Sequence, residues 1–195
     1  MDELGTGNGW TGNGCDGLCV VSVWAHTGPA AELVRSLKYG RATAVVTELA
    51  AAMAAVAPTA DLVTWVPASP ARRRQRGFDQ GELLARAIAR RIGLPVRRSL
   101  RRLDDDPQTS RQREGRFRGP EFAPVGRRLR FRPSVLLVDD VITTGSSLRS
   151  AASVLRARGA GPVGALVATH AVGAQRPAAP PPDVYALATT KPTGG

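Results

Sequence analysis

The 195-residue sequence is poor in aromatic residues and in cysteine, and it contains no long apolar run. Aromatic residues make up 5% of the chain while 43% of it is hydrophobic, so we expect a core built mostly from alanine, valine and leucine. A membrane-spanning helix needs about 20 consecutive apolar residues, and none is predicted. The first 17 residues lack a basic start and an apolar stretch, which excludes a standard secretion signal and favours a cytoplasmic protein without membrane contact.

The two cysteines, Cys15 and Cys19, are separated by three residues. One pair cannot supply the four ligands of a structural zinc site. The spacing also differs from the redox motif, in which two residues separate the cysteines. We therefore interpret both as free thiols in a reducing compartment.

Lysine is nearly absent, because Lys38 and Lys191 are the only two and the other 25 basic residues are arginines. The stretch from Arg72 to Arg132 holds 19 arginines and seven acidic residues, whereas the rest of the chain is almost neutral. The positive electrostatic potential of this stretch attracts a polyanion, either a nucleic acid or a heavily phosphorylated small molecule. For any single arginine, a plain solvent-facing surface position stays an open alternative.

Short apolar strands alternate with amphipathic helices, which predicts an α/β fold with a mostly parallel twisted sheet and flanking helices. We expect a flexible leader over residues 1–19 and one domain over 20–195. A long mobile loop is predicted at about 104–125, where charges, proline and glycine replace apolar periodicity. A basic loop is predicted over 68–78 and a proline-rich connector over 176–182. The predicted strands cover 20–24, 62–66, 98–103, 135–138, 163–169 and 184–189, and the predicted helices 29–38, 43–56, 79–92 and 146–158.

Ligands of parallel α/β sheets bind at the carboxyl ends of the strands. The segments that follow Val66 and Val138 are therefore predicted to lie side by side at one edge of the sheet.

The segment from Val135 to Leu148 carries the strongest chemical signal. An apolar strand leads to two adjacent carboxylates, and a turn with hydroxyl residues and one glycine precedes a helix. Free N–H groups at the start of that helix favour an anion, and the glycine allows a ligand close to the backbone. The carboxylates repel a phosphate but suit the vicinal hydroxyls of a ribose. The pattern therefore favours a sugar phosphate as ligand.

Three alternatives compete with this interpretation. The hydroxyl residues could only cap the helix, with the acids at a solvated strand end. A Walker A phosphate loop requires Gly-Lys followed by Ser or Thr, which is absent here. A phospho-receiver domain also has paired acids after a strand, but it would carry them near the N-terminus with a further aspartate downstream. Asp183 is the only later acid.

Residues Val135–Ser147 resemble the phosphoribosyl diphosphate (PRPP) binding signature of type I phosphoribosyltransferases. Residues Val66–Gln80 resemble the "PVP…RxRGFNQ" block of the ComF family, the competence-protein-like phosphoribosyltransferases. Residues Gln108–Phe122 are similar to the mobile loop of that family, and Ser36–Gly40 to its early "LK-aromatic" segment. The resemblance runs from about Leu33 to His170.

The resemblance implies a type I phosphoribosyltransferase fold and a role for each part of these motifs. Asp139 and Asp140 would hold the ribose hydroxyls and act as the catalytic pair. Mg²⁺ would bridge pyrophosphate and ribose oxygens, with Asp139 as a candidate ligand. Arg111 and Arg113 in the mobile loop would close over the ligand. The 5′-phosphate of PRPP would lie on Thr143, Thr144, Gly145, Ser146 and Ser147, and the pyrophosphate on Ala68, Ser69, Arg72, Arg73, Arg74 and Arg76.

This chain departs from the family pattern at three places. Many ComF proteins carry a zinc ribbon with four cysteines near the N-terminus. In this chain, that region contains only Cys15 and Cys19. Asp79 replaces the usual asparagine and keeps its capping ability. Arg116 also replaces an asparagine, which puts the contacts of the mobile loop in doubt.

Two functions compete at this stage. The first is a phosphoribosyltransferase that transfers the sugar phosphate to a nitrogenous base. The second is a PRPP- or nucleotide-sensing protein with little catalysis that binds DNA or a protein partner, since ComF relatives are associated with DNA uptake. The sequence specifies neither the acceptor base nor whether the protein forms a homodimer.

Overall fold

The computed structural model describes residues 18–39, 43–103 and 120–171. No helix in these three ranges is long and apolar enough to cross a membrane. The described elements, in chain order, are β1 (Cys19–Ala25), α1 (Gly28–Tyr39), α2 (Thr43–Ala55), β2 (Leu62–Trp65), α3 (Pro70–Arg76), α4 (Gln80–Ile92), β3 (Leu100–Arg102), β4 (Phe122–Pro124), β5 (Val135–Ile142), α5 (Ser146–Ala157) and β6 (Val163–His170).

Four strands form a parallel sheet in the order β1-β6-β5-β2. All four point the same way, so their last residues meet at one edge, which we call the carboxyl edge. Side chains alternate between the two faces of the sheet. Leu136 and Val138 of β5 pack on one face with α1, α2 and α4. Val135 and Leu137 pack on the other with α5, β3 and β4. The predicted α/β class with a mostly parallel sheet is confirmed.

The predicted helices follow their apolar periodicity closely. In α1, Val34 and Leu37 are fully buried, and in α4 so are Leu84 and Ile88. Gly93, which has φ of 69°, ends α4 as its predicted cap. Strand β5 extends beyond the predicted apolar run and includes the two aspartates and Ile142.

The predicted basic loop over 68–78 contains the helix α3, so that prediction was wrong. The Ser69 hydroxyl accepts a hydrogen bond from the Arg72 N–H at 3.2 Å, Pro70 lies in the first turn, and Gly77 ends the helix with φ of 75°. None of the helix residues is buried. A short helix without a buried face shows no apolar periodicity, which is why the sequence pattern did not predict it.

Two predicted boundaries also change. Residues 122–124, placed in the mobile loop, form β4, which pairs antiparallel with β3 and buries Phe122. Cys19, placed in the leader, lies buried in β1, and this burial raises the pKa of its thiol. Leu18, also placed in the leader, is described and buried. Four predicted features lie outside the described residues: residues 1–17 with Cys15, the loop residues 104–119 with Arg116, the connector over 176–182 and the strand over 184–189.

Candidate functional site

The segments after β2 and β5 lie side by side at the carboxyl edge, as predicted. β2 pairs in parallel with β5, with Trp65 opposite Val138. One residue further on, the Val66 N–H donates to the Val138 carbonyl at 3.0 Å. The acidic pair at the end of β5 therefore neighbours the segment that leads from β2 into α3.

Asp139 and Asp140, the acidic pair, are held in different environments. Asp139 is partly buried, and its Oδ1 accepts the backbone N–H of Asp140 at 2.8 Å. Burial raises the pKa of the Asp139 carboxyl well above its usual range, and the neighbouring charge of Asp140 raises it further. Asp140 is 7% exposed and accepts a hydrogen bond from Gln80 Nε2 at 3.4 Å.

Gln80 connects the acidic pair to an arginine of α3. Its Nε2 donates to Asp140, and its Oε1 accepts from Arg76 Nη1 at 2.8 Å. Gln80 is a site residue for which the sequence motifs predict no role. Its position directly after the helix cap Asp79 was visible, but its contact with β5 spans 60 residues of chain and exists only in the folded protein.

Asp79 ties the segment after β2 to the start of α4. Its Oδ2 accepts the Ala68 N–H at 3.1 Å, while its Oδ1 accepts the N–H groups of Gly81 and Glu82. Burial raises the pKa of this carboxyl in spite of the three hydrogen bonds. The predicted capping role is confirmed, and the second oxygen adds a tertiary contact.

The predicted phosphate turn, residues 143–147, lies at the start of α5. Thr143 and Thr144 are exposed, whereas Ser146 and Ser147 are partly buried. Gly145 occupies the N-cap position of α5 with φ of 72°. Because glycine has no side chain, it makes no capping hydrogen bond to the first N–H groups of the helix. The Thr144 hydroxyl lies 3.1 Å from the Ser146 hydroxyl. Exposed hydroxyls and helix N–H groups together suit an anion.

Arg149 is a cation at this turn that the sequence analysis did not identify. Its Nη2 donates to the Thr144 carbonyl at 2.8 Å, and its Nη1 lies 3.1 Å from where a Cβ at position 145 would stand. A positive charge in the first turn of a helix opposes the helix dipole. An anion in the turn would offset that repulsion, so Arg149 favours the same ligand chemistry as the hydroxyls.

The residues predicted for pyrophosphate divide into two groups. Arg76 is half-buried and connected to the acidic pair, while the Ala68 N–H and the Ser69 hydroxyl are engaged within the protein. Arg72, Arg73 and Arg74 are exposed on α3. Arg111 and Arg113 lie outside the described residues.

Arg73 and Arg74 line an open cavity of about 410 Å³, which we call the arginine pocket. The cavity is bounded by α3 and β3, and none of the residues 139–147 lines it. Among the described residues, its lining consists of Pro67, Ala68, Pro70, Arg73, Arg74, Gly77, Arg98, Arg101 and Arg102.

Both histidines of the chain lie at the carboxyl edge, where the sequence analysis assigned them no role. His26 follows β1, and its Nδ1 lies 2.8 Å from the Thr169 hydroxyl. His170 ends β6, and its Nδ1 lies 3.0 Å from the Ser22 hydroxyl. They extend the polar surface away from the acidic pair toward β1.

The donor set at this edge fits a magnesium ion that is shared with a ligand. Within the described part of the chain, no cluster of three or more His, Cys, Asp or Glu side chains could enclose a metal. Mg²⁺ usually binds through one or two carboxylates together with substrate phosphates and water. Asp139 and Asp140 provide that number of carboxylates.

Replacing Asp139 with asparagine is expected to stabilise the ligand-free protein at pH 7. The unfolded chain releases this proton near the ordinary pKa of 3.8, whereas the folded protein retains it to higher pH. Between these values the folded state binds more protons, so stability falls as pH rises. Each unit of difference corresponds to about 1.4 kcal/mol. The asparagine side chain retains an oxygen that accepts the Asp140 N–H.

Urea unfolding of both proteins between pH 4 and 8, without metal or ligand, measures this effect. The free energies of unfolding should converge near pH 4 and diverge as pH rises, with Asp139→Asn the more stable. The variant Glu32→Gln, which removes one exposed carboxylate, serves as the control for the loss of a single negative charge. If the difference in the free energy of unfolding between the two proteins stayed constant from pH 4 to 8, burial would not raise the pKa of Asp139.

Comparisons with known proteins give partial sequence similarity to two relatives. Competence protein ComFC of Bacillus subtilis is 30% identical over 94 residues, which is 48% of this chain and 38% of the relative. Orotate phosphoribosyltransferase of Hahella chejuensis is 39% identical over 64 residues, which is 33% of this chain and 29% of the relative. The chain thus spans less than half the length of either relative. No family model matches it.

Among solved structures, a glutamine phosphoribosylpyrophosphate amidotransferase from Bacillus subtilis, complexed with ADP and GMP, has a TM-score of 0.47 at 22% identity. The match covers 68% of this chain and 30% of that one. The resemblance that the motifs indicated is therefore confirmed by sequence similarity over part of the chain: this α/β protein is similar to a ComF-type competence protein and to a phosphoribosyltransferase.

Proposed function

We propose that this protein binds PRPP with Mg²⁺ at the carboxyl edge and transfers its phosphoribosyl group to a nitrogenous base, releasing pyrophosphate. One observation carries the proposal. Strand β5 and helix α5 join a pair of carboxylates directly to a turn of hydroxyls, helix N–H groups and the Arg149 guanidinium. A phosphorylated sugar needs both kinds of group at this short distance along the chain.

The turn holds the 5′-phosphate in this proposal. Thr143, Thr144, Ser146 and Ser147 supply hydroxyl donors, and the backbone of Gly145 allows the phosphate to approach the start of α5. Arg149 adds a positive charge to the same turn. These contacts fix one end of the sugar and leave its anomeric carbon free to react.

Asp139 and Asp140 hold the ribose 2′- and 3′-hydroxyls. Burial raises the pKa of Asp139 in the ligand-free protein, whereas the positive charge that Mg²⁺ brings to the site when bound favours its ionised form. The bond between C1′ and the pyrophosphate oxygen breaks, and its electron pair leaves with pyrophosphate. Positive charge then develops on the ribose ring, where two nearby carboxylates stabilise it. The acceptor nitrogen forms the new bond to C1′ and subsequently loses its proton.

The leaving pyrophosphate requires positive charge on the side opposite the ribose. Arg76, held by Gln80, lies on the α3 side of the acidic pair, and Arg72, Arg73 and Arg74 belong to the same helix. When bound, Mg²⁺ supplies charge neutralisation to the pyrophosphate and ribose oxygens.

PRPP binding without transfer is the second candidate function. The partial similarity to Competence protein ComFC of Bacillus subtilis favours it. In that case the protein senses PRPP, and acceptor bases have no effect on it.

Incubation with PRPP, Mg²⁺ and a panel of purine and pyrimidine bases tests the proposal by release of pyrophosphate. We expect release that depends on one base or a small group of bases. Calorimetric titration of PRPP in the presence of Mg²⁺ provides the complementary readout. Binding without base-dependent release would support the second candidate, and absence of binding would refute both.

A further inference from the structure

The two histidines at the carboxyl edge are not explained by the acidic pair, the turn or the arginines. His26 follows β1, His170 ends β6, and both side chains are partly buried. The His26 N–H donates to the His170 carbonyl at 2.7 Å, which holds the two residues together. They form one unit at the ends of neighbouring strands, which we call the histidine pair.

Hydrogen bonds determine which ring nitrogen of His170 carries the proton. The single O–H of Ser22 donates to the Trp24 carbonyl at 3.2 Å. The Ser22 oxygen lies 3.0 Å from His170 Nδ1 and, having given its proton to Trp24, it accepts from Nδ1. In the neutral ring, Nε2 of His170 therefore keeps its lone pair.

His26 has the same arrangement with Thr169, which is fully buried. The Thr169 hydroxyl donates to the Asp140 carbonyl at 3.5 Å and lies 2.8 Å from His26 Nδ1. This hydroxyl accepts from Nδ1, so Nε2 of the neutral His26 ring also keeps its lone pair. The same chain of contacts connects the His26 ring to the main chain of the acidic pair.

The strand order places the histidine pair on the side of the acidic pair that faces away from β2. On that side β6 follows β5, then β1 follows β6, and Ile142 of β5 pairs with His170. Neighbouring strands lie about 4.8 Å apart. A ligand at the end of β5 can therefore extend over the ends of β6 and β1.

This side is also where an acceptor approaches in the proposed function. Pyrophosphate leaves toward α3, which follows β2, and the attacking nitrogen forms its bond to C1′ from the opposite face of the ribose. The nitrogen carries a proton that has to be removed. A ring nitrogen with a lone pair, oriented through the hydrogen bond of the other nitrogen, acts as a general base.

We propose that the histidine pair binds the acceptor through its N–H groups and that His26 Nε2 takes the proton of the attacking nitrogen. This inference rests on the proposed function. The bond between C1′ and the pyrophosphate oxygen breaks with its electron pair on pyrophosphate, and the nitrogen lone pair forms the bond to C1′. The proton then passes to His26 Nε2 and from there to solvent. The His170 Nε2 accepts a second N–H of the acceptor.

Two lone pairs on the protein side also select the class of acceptor. They accept hydrogen bonds from a neutral heterocycle with N–H and amino groups, such as adenine, guanine or cytosine. They repel the carboxylate of an anionic acceptor such as orotate. The inferred substrate class is therefore a neutral amino-substituted base.

Nitrogen-15 NMR of the full chain at pH 8 tests the histidine pair without turnover. The chain contains two histidines, so the variants His26→Asn and His170→Asn assign every ring signal. We expect the proton on Nδ1 in both ligand-free rings. Adenine, guanine or cytosine, added with Mg²⁺ and ribose 5-phosphate, which has no leaving group, should shift both Nε2 signals, and orotate should not. A proton on Nε2 of either ring, or no shift with any neutral base, would overturn the inference.

Kinetics of pyrophosphate release separate the base from a structural residue. Asparagine at position 26 retains an N–H donor for Thr169 but has no lone-pair nitrogen in the place of Nε2. We expect His26→Asn to lower kcat by more than about a hundredfold, while its affinity for PRPP stays within about twofold. His170→Asn should mainly raise KM for the base.

The variant Thr169→Val is the matched control, since it removes the contact of His26 Nδ1 and leaves both imidazoles in place. If its kcat fell as far as that of His26→Asn, the effect would come from the orientation of the ring, and His26 would not be the base. Base-dependent release that is equal in wild type and His26→Asn would overturn the inference and leave the proposed function intact. Failure of the wild type to bind PRPP would refute both.

Discussion

Replacing both members of the acidic pair, Asp139→Asn together with Asp140→Asn, is expected to weaken PRPP binding by more than about tenfold. Each carboxylate that bonds a ribose hydroxyl contributes a charge-assisted hydrogen bond of about 1.5 to 3 kcal/mol, and 1.4 kcal/mol corresponds to a factor of ten. Asparagine has nearly the same shape and retains an oxygen acceptor for the Asp140 N–H and for Gln80. The loss therefore reports on charge at the ribose rather than on packing.

Calorimetric titration of PRPP with Mg²⁺ measures this loss. The double variant Glu32→Gln/Glu48→Gln is the matched control, since it removes two exposed carboxylates from α1 and α2 and changes the net charge equally. Urea unfolding of both double variants checks that each is folded under the titration conditions, because the stability expected of Asp139→Asn does not extend to the buried Asp140. Unchanged PRPP affinity in the acidic-pair variant would show that Asp139 and Asp140 do not bind the ribose.

Replacing Gly145 with alanine is expected to reduce the affinity for ribose 5-phosphate by at least about tenfold. Gly145 has φ of 72°, a conformation that costs an L-residue about 1 to 2 kcal/mol. A Cβ at this position would also lie 3.1 Å from Arg149 Nη1, which would have to shift by a few tenths of an ångström, and in ordinary contact with Ile142 Cδ1 at 3.4 Å. We expect the strained backbone and the guanidinium to move away from the phosphate position.

Gly126→Ala is the control for backbone strain. Gly126 has φ of 77°, and nothing lies within 4 Å of a Cβ built there. Both variants should lose a similar free energy of unfolding, about 1 kcal/mol, in urea denaturation. If Gly126→Ala weakened ribose 5-phosphate binding as much as Gly145→Ala, the effect would come from global stability, and the turn would not be the phosphate site.

The acidic pair and the turn could be predicted because they are contiguous in sequence. Val135 to Val138 form an apolar run, the aspartates follow directly, and Gly145 precedes an amphipathic helix. Each of these signals is local, so no knowledge of the tertiary structure was needed. The adjacency of β2 and β5 also followed from the alternation of strands and helices in a parallel sheet.

Other parts of the site depend on contacts that are distant in sequence. Gln80 is the last residue of the ComF-like block Val66–Gln80, but its contact with Asp140, 60 residues away in sequence, exists only in the folded protein. Arg149 lies two residues after the turn in sequence. Its hydrogen bond to the Thr144 carbonyl, however, depends on the side-chain conformation, which the sequence does not specify. Helix α3 and strand β4 are too short for hydrophobic periodicity to predict them.

The α/β class, the order of most elements and the position of the acidic pair before its turn follow from the sequence alone. These properties depend on residue type and on spacing within a few positions. Which arginines converge in space depends on how the chain folds. Arg73 and Arg74 are separated from Arg98 and Arg101 by the whole of α4, and they share a pocket because α3 and β3 meet in the fold. Electrostatic interaction depends on distance in space, which the order of residues along the chain does not specify.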